Sequence, residues 1–226
     1  LRDVVKTFHL GELETVTGAA GGVRYRAKVD RAAALDYINS LCERLSGENR
    51  VLPGSFLYYS DILSSPQIVQ RMGEILATEY YDLAPDFVLT METKGIPVAL
   101  MTANALGVPL VIARRSSKVY EGSAVNINYV SGSSGNIETM SLSRRAVKEG
   151  QRALIIDDFL KGGGTAKGMV DLMREFNVEV VGLGFVMATA RPEKKRIQGE
   201  KALMVMEITQ EENPVAKISP ADWLKA

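Results

Sequence analysis

Hydrophobic positions along the chain follow two periods. From Arg31 to Leu45 the apolar residues Ala34, Leu35, Ile38, Leu41, Cys42 and Leu45 recur every three or four positions, one stripe of a helix that Gly47 would end. After Pro66, a residue suited to a first helical turn, Ile68, Val69, Met72, Ile75, Leu76 and Tyr80 give the buried face of a second helix. Continuous apolar runs follow: DFVLTM (86–91), PLVIAR (109–114), ALIID (153–157), VEVVGLGFVMAT (178–189) and ALMVMEI (202–208). Such runs suit strands buried on both faces of a parallel sheet. Helical stretches from about Ile96 to Leu106 and from about Thr165 to Phe176 separate them, so the alternation predicts a doubly wound α/β domain.

Two segments depart from this alternation. In residues 1–30, Val4, Val5 and Phe8 have near-helical spacing, and ETVTGAAGGVRYRAKV gives two short β-favouring runs around a glycine-rich tip at Gly18 to Gly22. This predicts a helix end and a hairpin ahead of a main domain at 31–226. The chain opens on Leu1 in what reads as the end of a charged helix, so a preceding segment is expected. Between the two halves of the sheet, Tyr120 to Ser143 is rich in Ser, Gly, Asn and Thr, with VNINYV and IETMSL flanking SGSSGN. It predicts a long, mobile β-hairpin.

Composition narrows the classes. With 226 residues and 46% hydrophobic content the chain can bury one full core, and its 27 basic and 27 acidic side chains cancel. A nucleic-acid partner would therefore be met by a local patch. The single cysteine, Cys42, can form no internal disulfide, which suits a reducing cytoplasm. No run approaches the roughly 18 to 20 apolar residues that span a bilayer, and LRDVVKTFHL is no signal peptide, so a soluble cytoplasmic protein without a membrane partner is expected. One histidine, His9, and one cysteine are too few for the Ser-His-Asp, Cys-His or zinc constellations.

The chemistry gathers at the ends of the apolar runs, where open α/β sheets bind ligands. Asp157 and Asp158 stand at the carboxyl end of ALIIDD. Directly behind them, Lys161, Gly162, Gly163, Gly164, Thr165 and Ala166 form a glycine-rich turn into a helix, a ready phosphate site. Carboxylates beside a phosphate cradle fit a sugar phosphate, whose hydroxyls the acids accept while amides hold the phosphate. A Walker loop would require Lys and Ser or Thr after Gly168, where Met169 stands, and a dinucleotide loop would place its acid after the glycines. The plain alternative is a tight strand-to-helix turn with a solvated acidic pair. METKGIP (91–97) and ARRSSK (113–118) end two further strands. Guanidinium groups such as Arg114 and Arg115 suit a diphosphate, although a basic run of this kind is commonly a solvated face.

The segment Ala153 to Thr165 resembles the phosphoribosyl-pyrophosphate (PRPP) motif of type I phosphoribosyltransferases: four apolar residues, two acids, then a loop ending Gly-Gly-Thr. The resemblance implies the type I phosphoribosyltransferase fold, with Asp157 and Asp158 on the ribose hydroxyls and Lys161 to Ala166 around the 5′-phosphate. METKGIP resembles the family's diphosphate loop, in which a strained or cis non-proline peptide aims N–H groups at the ligand. Thr93, Lys94 and Gly95 would fill it.

Catalysis in this family implies a proton-handling carboxylate near the purine base. Hypoxanthine-guanine enzymes carry an aspartate where Lys161 stands. Adenine enzymes use a Glu-Tyr pair in the flexible loop, matched here by Asn128-Tyr129, with Ser131 nearby. Neither position holds an acid, although Glu121 or Glu138 could substitute. Through GAAGGVRY, LPGSFLYYSDIL, TKGIP, EGSAVNINYVSGSSGNIETMSLSRRAV and LIIDDFLKGGGT the chain resembles the purine operon repressors of Gram-positive bacteria. That resemblance implies a homodimer with PRPP as effector, operator DNA as partner of the intact protein, and a remnant of a winged helix in residues 1–30. Arg24, Arg26 and Lys28 on the wing would meet DNA phosphates, with Tyr25 packed at its base. Mg2+ can accompany PRPP, and guanosine tetraphosphate is an expected competitor. The alternative is an active adenine- or xanthine-type phosphoribosyltransferase.

Overall fold

A computed structural model describes residues 2–7, 11–18, 21–46, 48–54, 56–116, 122–131, 135–209 and 214–226. Gly47, His9, Lys118, Tyr120, Glu121 and the hairpin tip at 132–134, all noted above, lie outside the described residues. The chain begins with a short helix α1 (Arg2–Thr7) and the antiparallel strands β1 (Glu12–Val16) and β2 (Gly22–Arg26). Helix α2 (Arg31–Leu45) follows, its first turn capped by Asp30, whose carboxylate accepts from the N–H groups of Ala32 and Ala33. A small hood of β3 (Val51–Leu52), β4 (Phe56–Leu57) and α3 (Ser60–Leu63) leads into α4 (Pro66–Tyr80).

The main body alternates as the sequence predicts. Strand β5 (Phe87–Met91), α5 (Ile96–Leu106) and β6 (Leu110–Ala113) precede the hairpin β7 (Ala124–Val130) and β8 (Ile137–Ser143). Then come β9 (Arg152–Leu160), α6 (Gly164–Glu175), β10 (Glu179–Thr189), β11 (Glu200–Ile208) and β12 (Ala216–Pro220). The central sheet has the order β12-β11-β10-β9-β5-β6, parallel except for β12. The antiparallel edge strand has no counterpart in the sequence reading, because AKISP is too short and mixed to stand out from a loop.

Alternation along β9 divides the core. Leu154 and Ile156 join α2, α4 and α5 on one face of the sheet, while Ala153 and Ile155 join α6 and the β7–β8 hairpin on the other. Chain order reverses between β5 and β9, so the loops leaving these two neighbouring strands open onto one crevice. One boundary differs from the sequence reading. Asp157 and Asp158 do not end their strand, because β9 goes on pairing with β10 as far as Leu160 after its pairing with β5 stops at Ile155. Losing one neighbour while keeping the other exposes one side of the acidic pair to the crevice.

At the N-terminal hairpin, register sets Glu12 opposite Arg26 and Glu14 opposite Arg24. Arg26 pairs with Glu14 at 2.8 Å and also lies over the Tyr81 ring, and Lys28 pairs with Glu12 at 2.8 Å. Two of the three cations expected to face DNA are thus engaged within the protein. Tyr25, expected to be packed, is 51% exposed because β2 turns its ring outward. Among the described residues no helix is long and apolar enough to cross a membrane.

Candidate functional site

Off the carboxyl ends of β5, β9, β10 and β11 lies an open cleft of about 1360 Å³. The two acids at its floor have opposite surroundings because neighbouring residues of a strand face opposite ways. Asp157 is 7% exposed and packs against Gly95 and Thr90. Burial, and then the Asp158 charge beside it, pushes its carboxyl well above the usual carboxylate range. Asp158 is half-buried and takes a 2.5 Å hydrogen bond from the hydroxyl of Tyr59, which is itself driven upward by burial. That ring packs against Phe159, and the ammonium of Lys94 lies 5.1 Å from its centre. Sequence reasoning passed over Tyr59; in LPGSFLYYSDIL it reads as one more apolar position of the hood.

The glycine-rich turn behaves as its composition predicts. Gly163 adopts φ +79°, a left-handed conformation that glycine takes without strain, and it caps the start of α6, whose first N–H groups have no partner within the helix. Lys161, Gly163, Gly164, Thr165 and Ala166 line the cleft. Gly162 does not; its carbonyl accepts the backbone N–H of Arg196, anchoring the turn from behind. At the end of β5, Glu92, Thr93 and Lys94 line the cleft, and the Glu92–Thr93 peptide is cis, as the resemblance implies for that loop. Gly95 instead lies beneath it: a Cβ there would be 2.0 Å from Asp157 Oδ1.

Alternation along the chain separates two of the expected positions, Arg114 and Asn128, from the cleft. Arg115 lines the cleft, with its N–H donating to Glu92 and its guanidinium 3.7 Å from Glu138. Arg114, one residue earlier, lines a separate concavity between β6 and β8. On the hairpin, Tyr129 and Ser131 face the cleft while Asn128 is exposed on the other side, accepting from Thr139. The Tyr129 hydroxyl donates to Glu138 at 2.9 Å, and burial of the ring followed by that carboxylate pushes the phenol up to about 12. Glu138, named above as a substitute acid, therefore reaches the cleft.

A family model described as "Phosphoribosyl transferase domain" matches residues 58–221. The chain belongs to the phosphoribosyltransferase family. Within that family its similarity to regulators is extensive. It is 40% identical over 216 residues to the purine biosynthesis transcriptional repressor PurR of Bacillus subtilis, covering 96% of this chain and 76% of the relative. It is also 40% identical over 204 residues to the purine biosynthesis transcriptional activator PurR of Lactococcus lactis subsp. lactis, covering 90% and 75%. Among solved structures, adenine phosphoribosyltransferase from Thermoanaerobacter pseudethanolicus superposes with a TM-score of 0.63 at 20% identity, over 74% of this chain and 98% of that one. At that identity the phosphoribosyltransferase enzyme bears on the fold alone.

Proposed function

We propose that the protein is a PRPP-responsive transcriptional repressor of purine biosynthesis genes, and that the cleft binds PRPP as an effector without consuming it. The observation that carries this reading is the convergence on one cleft of the Lys161–Ala166 turn, the open acid Asp158 and the 92–94 loop. The N–H groups opening α6 suit the 5′-phosphate, Asp158 suits a ribose hydroxyl, and Lys94 with Arg115 suits the diphosphate. The names of the regulators most similar to the chain support the transcriptional role.

Absence of catalysis rests on the site's chemistry. Lys161 is a cation where hypoxanthine-guanine enzymes carry an acid, and Asn128, at the position where adenine enzymes would carry their acid, is exposed on the side of the hairpin away from the cleft. Among the described residues no group of three His, Cys, Asp or Glu is placed to hold a metal ion, so Mg2+ would enter as the counter-ion of the diphosphate. Guanosine tetraphosphate, with two diphosphates, would compete for the same loops. Operator DNA, a homodimer and a winged-helix remnant at residues 1–30 complete the proposal; on its wing Arg24, Arg26 and Lys28 would meet DNA phosphates, Arg26 and Lys28 by exchanging their exposed ion pairs with Glu14 and Glu12.

The test is direct. Protein, PRPP and Mg2+ are incubated with adenine, xanthine, hypoxanthine or guanine, and PRPP binding is followed by calorimetry. Binding with PRPP left intact supports the effector role. Nucleotide formation at an enzyme-like rate, roughly 1 to 1000 per second, would make the protein a phosphoribosyltransferase.

A further inference from the structure

The β7–β8 hairpin brings an acid of its own into the cleft. Register sets Tyr129 directly opposite Glu138, so the two side chains share one face of the hairpin, and both line the cleft. That face is seated on α6 through Tyr129, which is 8% exposed and packs over Gly168, where a Cβ would come within 3.0 Å of the ring. A ring held in this way fixes its hydroxyl, which donates to Glu138 Oε2 at 2.9 Å. The carboxylate is thereby aimed across the cleft toward the residue that follows β6 by two positions, Arg115.

The backbone N–H of Arg115 donates to Glu92 at 2.7 Å, which anchors the residue beside the 92–94 loop, and its guanidinium lies 3.7 Å from Glu138 Oε2. Among the described residues this is the one ion pair formed between two residues of the cleft wall. The cation suited to a diphosphate thus already faces a carboxylate of the protein. The grip is light, because the Arg115 side chain is 67% exposed and the separation exceeds hydrogen-bond length. A diphosphate can offer the same guanidinium two charge-assisted hydrogen bonds, which a carboxylate at 3.7 Å does not make.

We propose that Glu138 is an internal stand-in for the ligand's diphosphate: an autoinhibitory anion on the hairpin that competes for Arg115 and is expelled when the diphosphate binds, loosening the hairpin from the cleft wall. The inference rests on the PRPP reading for the ligand's identity and adds which part of that ligand the hairpin responds to. Two like charges share one guanidinium only against their mutual repulsion, so diphosphate occupancy and the Glu138 pair oppose each other. A ribose phosphate held by the glycine-rich turn lacks the second anion and leaves Arg115 paired with Glu138. The hairpin therefore distinguishes a ligand that carries a diphosphate from one that does not.

Calorimetry at fixed Mg2+ tests it, with pyrophosphate, PRPP and ribose 5-phosphate each titrated into wild type, Glu138→Gln and Glu138→Ala. Both variants remove the charge, and only the first keeps a hydrogen-bonding side chain opposite Tyr129. The expected result is that pyrophosphate and PRPP bind both variants about threefold or more tighter than wild type at low ionic strength, a gain that shrinks as salt is added. Ribose 5-phosphate affinity should stay within about twofold, because its phosphate lies at the far turn where the lost charge is screened. Pyrophosphate binding that is unchanged, weaker or undetectable in the variants would overturn the proposal. A gain in one folded variant and not in the other would overturn it too, because loss of the charge is common to both.

Hydrogen exchange of the β7 and β8 amides gives the second readout. In wild type, pyrophosphate and PRPP should speed this exchange while ribose 5-phosphate does not, and in E138Q the faster exchange should be present before any ligand is added. Equal effects of ribose 5-phosphate and pyrophosphate would overturn the latch. The two readings fail separately. If pyrophosphate binds E138Q more tightly while PRPP binds neither protein, the PRPP reading fails and the latch stands. If PRPP binds wild type but E138Q gains nothing, the latch fails and the PRPP reading stands.

Discussion

The hydroxyl of Tyr59 donates to Asp158 Oδ2 at 2.5 Å, so the open acid of the cleft is held by the protein's own hood. A sugar hydroxyl must displace or share this contact. Tyr59→Phe should therefore tighten PRPP binding several-fold by calorimetry, with a loss of about 1.5 kcal/mol in stability, the lower end of the range for a hydrogen bond to a charged group because Asp158 is only half-buried. Weaker binding in Y59F would mean that the hydroxyl touches the ligand rather than competing with it.

Neighbouring arginines should behave differently. Arg115 lines the cleft and Arg114 lines the concavity between β6 and β8. Arg115→Ala is expected to weaken PRPP binding about tenfold or more, as removal of a charge-assisted phosphate contact does, while Arg114→Ala leaves it within about twofold. Equal effects in a binding titration would show that the strand's alternation does not govern access to the diphosphate.

These contrasts mark what the sequence made legible. Element identities came through because β5, the Ala153–Ile156 run of β9 and most of β10 are apolar and α2 and α4 carry apolar stripes, while α5 is apolar nearly all round; α2 and α5 end where those patterns end. The glycine turn was legible because no other residue type satisfies its geometry so readily. What stayed hidden depends on tertiary neighbours. Alternation separates Arg114 from Arg115 and Asn128 from Tyr129, yet only the placement of β6 and the hairpin says which of each pair faces the cleft. Asp157 and Asp158 look equivalent as letters and differ because Gly95, 62 positions earlier in sequence, crosses one and not the other. Tyr59 meets Asp158 across 99 residues, a relation no local pattern encodes.

Gly95 provides a steric test of the cleft floor. Gly95→Ala puts a methyl group 2.0 Å from Asp157 Oδ1 and 2.5 Å from the Thr90 hydroxyl, an overlap that should cost about 1 to 3 kcal/mol and shift the 92–94 loop. We expect a lower melting temperature together with at least tenfold weaker PRPP binding. Unchanged binding in a folded G95A protein would detach the loop's position from ligand recognition.

Cys42 gives a check on the α2 core. Burial pushes its thiol up to about 11, so at pH 8 the nucleophilic thiolate is scarce as well as inaccessible. Alkylation of the native protein at pH 8 should be slow and should become fast in denaturant. Because this titration is raised on folding, its share of stability is complete below the ordinary thiol range and fades as pH climbs toward 11. Rapid native alkylation at pH 8 would mean that α2 opens readily from the sheet.

The central claim is that PRPP, bound but not consumed, controls the hold on DNA. It is tested most directly by the fluorescence anisotropy of a labelled duplex from the control region of a purine biosynthesis operon, with protein bound and PRPP added in Mg2+. The account predicts that PRPP releases the duplex in wild type, and that Asp158→Asn binds the duplex normally but ignores PRPP. A wild-type complex that stays unchanged at saturating PRPP would contradict it.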